Sequence, residues 1–133
     1  MQPSKQRFTV AFDESDSEGI VFFGNYFRLA HRALEQWLVA RGIPWGDWFK
    51  NPDFGVPLRH VEADYMKPLK PGESFDAAIR VDEVGESSVH FSYEFMAPDG
   101  TLLARLKTSH VFVDRRAMKK MEIPVHLRQR LTE

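Results

Sequence analysis

Four carboxylates crowd the seven residues from Asp13 to Gly19 (DESDSEG), directly ahead of the apolar run IVFFGNY. Calcium loops use acidic residues this way, but they need oxygen ligands at the first, third and fifth positions, Gly at the sixth and Glu at the twelfth. Counted from Asp13, the third position is Ser15, the sixth Glu18 and the twelfth Gly24, so that pattern is not met. Acyl transfer is the other chemistry. A carboxylate that attacks a carbonyl, or activates water against it, works beside amides that stabilise the tetrahedral oxyanion. The free N–H groups of a helix N-terminus are such amides, and their dipole favours negative charge on an oxygen. Gly19 and Gly24 let backbone approach a reacting carbonyl closely. The structural alternative is a solvated turn in which an Asp caps a helix.

The helix that would supply those amides follows at once. From Asn25, Tyr26, Leu29, Ala30, Ala33, Leu34, Trp37 and Leu38 recur at three- and four-residue intervals, with Arg28, His31, Arg32, Glu35 and Gln36 opposite. Asn25 or the residues before it can cap the start, and Gly42 with Pro44 behind it supplies the stop. Ahead of the loop, RFTVAF alternates Phe8, Val10 and Phe12 on one face of a strand, after a polar tail. Beyond the helix, Pro44 to Phe54 is a loop with short helical pieces that carries Trp45, Trp48, Phe49 and Phe54. It reads as a flap on its own core or on a subunit interface, or as the wall of an apolar substrate pocket. The period then changes to two in Val56–Met66, Phe75–Val84, Ser88–Met96 and Leu102–Val113. Pro68 with Pro71-Gly72, Gly85-Glu86 and Pro98-Asp99-Gly100 punctuate them, and three short connections favour antiparallel neighbours. PVHLRQRLTE reads as a closing short helix opened by Pro124. One amphipathic helix cannot cover both faces of a five-stranded sheet, so association with a second copy is expected.

Composition narrows the function classes. At 133 residues, 43% hydrophobic and 13% aromatic, residues 1–133 suit one domain with a core. Eighteen Lys and Arg against 19 Asp and Glu give a net charge of -1, without the basic field that nonspecific nucleic-acid binding needs. The absence of cysteine removes disulfides, thiolate metal sites and cysteine nucleophiles. His31, His60, His90, His110 and His126 show no tight ligand spacing, so no metal is expected. No run approaches the ~20 apolar residues of a membrane span, and a soluble cytoplasmic protein is the expectation.

The run from Asp16 to Tyr26 resembles the D-x-x-G-I-V-x-x-x-N-Y signature of hotdog-fold thioesterases of the 4-hydroxybenzoyl-CoA thioesterase family. The likeness continues in order through WLVARGI, VPLRHVEADYMKPLKPGE, GESSVHFSYEF and VFVD…KKMEIP, over most of the chain. It implies an α+β hotdog domain, an antiparallel five-stranded sheet wrapped around one long central helix. It also implies an acyl-CoA thioester hydrolase that releases coenzyme A and a carboxylic acid, with no cofactor beyond the coenzyme A of its substrate, working as a homodimer or homotetramer.

Carried over residue by residue, Asp16 matches the family's catalytic aspartate, nucleophile or general base depending on the member. The amides at Phe23 and Gly24 match the group that polarises the thioester carbonyl. Asp13 falls at a supporting acidic position. Many relatives have His where Phe23 stands, and its absence leaves backbone amides as the electrophilic aid. Tyr26 closes the signature beside the substrate. Arg115, Arg116, Lys119 and Lys120 are candidates for the coenzyme A phosphates, and Ser88 matches a position near the coenzyme A entrance; each could equally be ordinary surface or turn chemistry. Within the family the chain is most like the branch that hydrolyses 1,4-dihydroxy-2-naphthoyl-CoA. Trp45, Trp48 and Phe54 would wall a flat aromatic acyl group, with His60 or Tyr65 for its hydroxyls. Aliphatic acyl-CoA hydrolysis is an alternative, and so is a noncatalytic module that binds acyl-CoA or acyl-carrier protein.

Overall fold

A computed structural model describes residues 4–133, apart from the side chain of Ser4; the first three residues of the expected polar tail lie outside the described residues, and the rest of it is strand. In chain order the elements are β1 (Ser4–Thr9), a 3₁₀ turn (Phe12–Glu14), α1 (Phe23–Ala40), α2 (Trp45–Phe49), β2 (Phe54–Gly55), β3 (Leu58–Tyr65), β4 (Ser74–Val84), β5 (Ser88–Met96), β6 (Leu102–Val111), β7 (Val113–Asp114), β8 (Lys119–Lys120) and α3 (Val125–Leu131).

Five strands form one antiparallel sheet in the order β1-β4-β5-β6-β3, and β2, β7 and β8 form a small second sheet. The alternating patterns set the register. Phe75, Ala77 and Ile79, Val89 through Phe95 in steps of two, and Ala104 and Leu106 all turn one way and are buried. Against that face α1 lays Leu29, Ala30, Ala33, Leu34, Trp37 and Leu38, and Trp37 meets Phe91 edge-on at 5.5 Å. The helix stops as Gly42 predicts. Gly42 has φ +78°, its N–H donates to the Val39 carbonyl and the Ile43 N–H to that of Leu38, and fully buried Ile43 supplies the hydrophobic contact of a Schellman motif.

Three expectations need correction. Only Gly85-Glu86 and Pro98-Asp99-Gly100 join neighbouring strands; the Met66–Glu73 connection takes the chain from β3, at one edge, past β6 and β5 to β4. Its prolines marked a turn, but buried Leu69 makes it a strap whose carbonyl accepts from the Val21 N–H at 2.8 Å. In RFTVAF the alternation fails at Phe12, which sits in the 3₁₀ turn and is 79% exposed. Helix α1 begins at Phe23 rather than Asn25, whose amide instead donates to the Glu14 carbonyl at 2.9 Å.

Candidate active site

Asp16 is held by a miniature hairpin. Ser15 and Val21 form an antiparallel bridge, the Asp16 N–H donates to the Ile20 carbonyl at 2.8 Å, and the Gly19 N–H donates back to the Asp16 carbonyl at 3.0 Å. Gly19 has φ +80°, which is why the turn places a glycine there. One carboxylate oxygen, Oδ1, accepts from the Glu18 N–H at 2.8 Å; Oδ2 has no hydrogen-bond partner among the described residues. The side chain is thus oriented by one oxygen and presents the other.

The buried carboxylate beside it is Glu14, not Asp13. Asp13 is exposed, whereas Glu14 is 3% exposed and its Oε1 accepts from the Ala11 N–H at 2.8 Å. Its backbone carbonyl accepts from both the Phe22 N–H and the Asn25 amide, tying the acidic loop to the start of α1. Oε2 is buried without a hydrogen bond and is balanced by Arg28 at 3.8 Å. Glu14→Ala strands the Ala11 N–H and lowers stability by about 1–3 kcal/mol, measured by urea unfolding; Glu14→Gln, which can still accept, costs less.

No side chain caps α1, so the first-turn amides of Phe23 and Gly24 have no acceptor within the helix. Gly24 does more than admit a ligand: a Cβ there would lie 2.9 Å from the Phe22 ring, which packs over it. Asp16, Phe23, Tyr26 and Tyr65 come together around an open, mainly apolar cleft of about 400 Å³, with Lys67 and Pro68 from the strap on its rim. Tyr65 donates to the Phe23 carbonyl at 3.2 Å and meets the Tyr26 ring edge-on at 4.7 Å. Burial raises the pKa of both phenols, which keeps them neutral donors. A carboxylate and an uncapped helix N-terminus that line one apolar cleft are the groups that acyl transfer uses, the first to attack or to direct water and the second to hold an oxyanion.

Further along α1 lies a second cavity of about 180 Å³, walled by Phe27, Trp48 and Phe49 and backed by Tyr93, Thr108 and His110. Burial lowers the His110 pKa to about 4, with His31 and His90 adding repulsion against an opposing bond to the Val56 backbone. An unfolded His takes up its proton near 6.5, so His110 favours the folded state fully above pH 6.5, and this contribution is lost as pH falls through 4. The difference is about 3 kcal/mol. The urea midpoint therefore begins to fall above pH 5, before most carboxylates titrate, and His110→Asn flattens that part of the profile.

The other expected site residues lie elsewhere. Trp45 is half-exposed and donates to Glu35, which also meets His31. Phe54 is buried against Phe112 at 5.4 Å and is core rather than an open wall. His60 pairs with Ser109 on the outer sheet face, so strand alternation puts it opposite Tyr65, which lines the cleft. Ser88 opens β5, its Oγ 3.4 Å from His90. Arg115 donates to the Asn51 carbonyl and lines an open groove beside Trp48, while Arg116, Lys119 and Lys120 are exposed around the β7–β8 turn. None of these lines the Asp16 cleft. Sequence reasoning missed Glu14, lost among surface-like acids, and Lys67, which stands next to the Pro68 punctuation. It also missed Thr108 and His110, whose inward period was visible in KTSH but whose polarity concealed their burial.

Residues 10–131 match the family model described as the thioesterase-like superfamily. The chain belongs to that superfamily. Among its relatives is the 1,4-dihydroxy-2-naphthoyl-CoA hydrolase of Nostoc punctiforme, 29% identical over 116 residues, covering 87% of this chain and 78% of the relative. A 1,4-dihydroxy-2-naphthoyl-CoA thioesterase from Synechocystis superposes with a TM-score of 0.92 at 23% identity, covering 98% of this chain and 96% of that one. A hypothetical protein of Aquifex aeolicus reaches 0.89 at 29% identity over 97% and 99%. The hotdog thioesterase fold implied by the sequence resemblance is the fold of this superfamily member, with its five-stranded antiparallel sheet and the 18-residue α1. No described helix is long and apolar enough to cross a membrane.

Proposed function

We propose that this protein is an acyl-CoA thioester hydrolase acting on an aromatic acyl group of the 1,4-dihydroxy-2-naphthoyl or hydroxybenzoyl kind. The observation that carries this reading is that Asp16, with one carboxylate oxygen unpartnered, and Phe23, which opens the uncapped first turn of α1 ahead of Gly24, line one apolar cleft. The thioester carbonyl sits toward the first turn of α1; Asp16 either attacks it, expelling coenzyme A as the thiolate and leaving an acyl anhydride that water cleaves to the acid, or takes a proton from the water that attacks it, with the same thiolate leaving. Tyr26 and Tyr65 flank the acyl group. Trp48 walls the cavity further along, and the Arg115–Lys120 turn offers charge for the nucleotide. The relatives' names support the aromatic acyl group, as does the aromatic lining; no cofactor is needed. Thiol release measured over benzoyl-, naphthoyl-, short- and long-chain acyl-CoAs tests this. A preference for aliphatic chains overturns the acyl assignment, and ligand binding without thiol release overturns hydrolysis.

The active form is read as a homodimer or a homotetramer built from it, each chain a single cytoplasmic domain over 1–133 with the sheet curved around α1. β3 has one unpaired edge, and Leu58, Val61, Tyr65 and Met66 leave apolar surface exposed along it beside exposed Phe22 and Phe23. Such an edge with an apolar flank invites pairing with a second copy. Val61→Glu, placing a charge on that flank, shifts the protein to monomers in sedimentation velocity and lowers turnover with it.

A further inference from the structure

The end of β3 and the start of α1 are joined by a hydrogen bond whose direction is fixed. A backbone carbonyl only accepts, so in the 3.2 Å contact between the Tyr65 hydroxyl and the Phe23 carbonyl the phenol is the donor. The Tyr65 ring meets Tyr26 edge-on at 4.7 Å, and Tyr26 stacks on Phe95 at 6.0 Å, which holds the phenol in place. A phenol has one proton. With that proton given to the backbone, Tyr65 has none for a substrate in the cleft it lines, and it acts on the reaction through Phe23.

The carbonyl of Phe23 and the N–H of Gly24 belong to one planar, resonant peptide unit. Drawing electron density onto the oxygen makes the N–H more positive, and bonds in such a chain strengthen one another by about 10–30% each. Gly24 supplies one of the two first-turn amides that have no acceptor among the described residues, since the Asn25 N–H already donates to the Phe22 carbonyl at 2.9 Å. The Phe23 carbonyl also serves Phe27 in the regular helical pattern, and its two lone pairs allow both bonds. At 3.2 Å the phenol bond is long for an O–H···O contact. An anion that accepts from the Gly24 N–H pushes charge back onto the Phe23 oxygen and tightens that bond. Its contribution is therefore greatest when the thioester oxygen carries its negative charge.

We infer that Tyr65 is a positioning residue for thioester cleavage: through its bond to the Phe23 carbonyl it polarises the Phe23–Gly24 peptide and strengthens the Gly24 N–H as a donor to the tetrahedral oxyanion. This rests on the thioester-hydrolase reading above. Tyr65 keeps its proton throughout. One oxyanion donor is worth about 10²–10³ in rate, and about 10–30% of that free energy corresponds to about 2- to 8-fold.

The test compares the full-length protein with Tyr65→Phe and with a form carrying 3-fluorotyrosine at this position, at a pH where the fluorinated phenol stays protonated. Phe keeps the ring against Tyr26 and removes only the hydroxyl, whereas the more acidic fluorinated phenol is a stronger donor. Thiol release is followed in single turnovers, enzyme in excess, with whichever benzoyl-, naphthoyl-, short- or long-chain acyl-CoA the wild type cleaves fastest. Tyr65→Phe is expected to lower the maximal rate by about 2- to 8-fold at an unchanged half-saturating concentration, and 3-fluorotyrosine to raise it. In NMR spectra of the free protein, the Phe23 carbonyl carbon and the Gly24 amide nitrogen move upfield in Tyr65→Phe and the opposite way with 3-fluorotyrosine. An unchanged maximal rate in Tyr65→Phe overturns the inference and leaves the hydrolase reading standing. So does a loss confined to half-saturation, or a slower rate with the Gly24 resonance unmoved, which makes Tyr65 only a tether between β3 and α1. A 3-fluorotyrosine form no faster than the wild type also overturns it, and decides the matter even if Tyr65→Phe does not fold. If the wild type releases no thiol from any of these thioesters, the hydrolase reading itself fails and the inference falls with it.

Discussion

Asp16→Asn lowers turnover of the best acyl-CoA substrate by about 10²–10⁴-fold, the range for loss of a positioned acid or base, while leaving the fold intact. The amide oxygen of Asn can still accept from the Glu18 N–H, which orients the native carboxylate, so the hairpin around Gly19 survives. What is lost is the charge of a carboxylate that lines the cleft and has one oxygen without a hydrogen-bond partner among the described residues. A substrate that binds through its ring and nucleotide retains its KM, and the effect falls on kcat. Unchanged thermal unfolding together with a collapsed kcat is the expected pair of results. Wild-type hydrolysis by Asp16→Asn would remove Asp16 from the chemistry. Single turnover in ¹⁸O-water separates the two roles left open: if Asp16 is the nucleophile, the product acid can receive an unlabelled oxygen from the carboxylate, and if it is a general base, the new oxygen comes from water.

The largest effect on stability is expected at Trp37. Its side chain is fully buried at the centre of α1, edge-on to Phe91, with the Arg41 guanidinium 4.7 Å from its ring centroid. Trp37→Ala opens a large cavity between helix and sheet and costs about 3–5 kcal/mol, a fall in Tm of roughly 10–20 °C for a domain of this size. Trp37→Phe tests a finer point. The indole Nε1 is buried with no hydrogen-bond partner, so Trp37 carries an unmet desolvation cost of about 1–3 kcal/mol. Phe removes that cost along with part of the packing and destabilises by less than half as much as Ala. Urea midpoints at fixed protein concentration check both, since a dimer's apparent stability depends on concentration.

The acidic loop, the helix and the four later strands were legible in the chain because each rests on local chemistry. The 3.6-residue stripe from Tyr26 to Leu38 and the two-residue alternation of β4 and β5 report burial directly, and Gly42 stops α1 because a left-handed residue is required there. Asp16 and the first-turn amides were legible for the same reason, being close in sequence and joined by a short turn.

Tertiary structure alone decided three things. It placed β3 beside β6 rather than β4, because strand order depends on which faces are buried together and on the strap through Leu69, and a proline-rich connection looks the same whether it turns or crosses. It turned Tyr65 rather than His60 toward the cleft, because alternation puts the two on opposite faces but only the pairing with β6 decides which face is turned inward. It also buried Glu14 while leaving Asp13 exposed, and gathered Tyr93, Thr108 and His110 behind Trp48. A polar side chain reads as surface until its partners are known, and these partners come from different elements. The sequence by itself thus determined the acidic loop and the elements that carry it, and folding determined what faces the loop, because contacts between distant segments have no local signature.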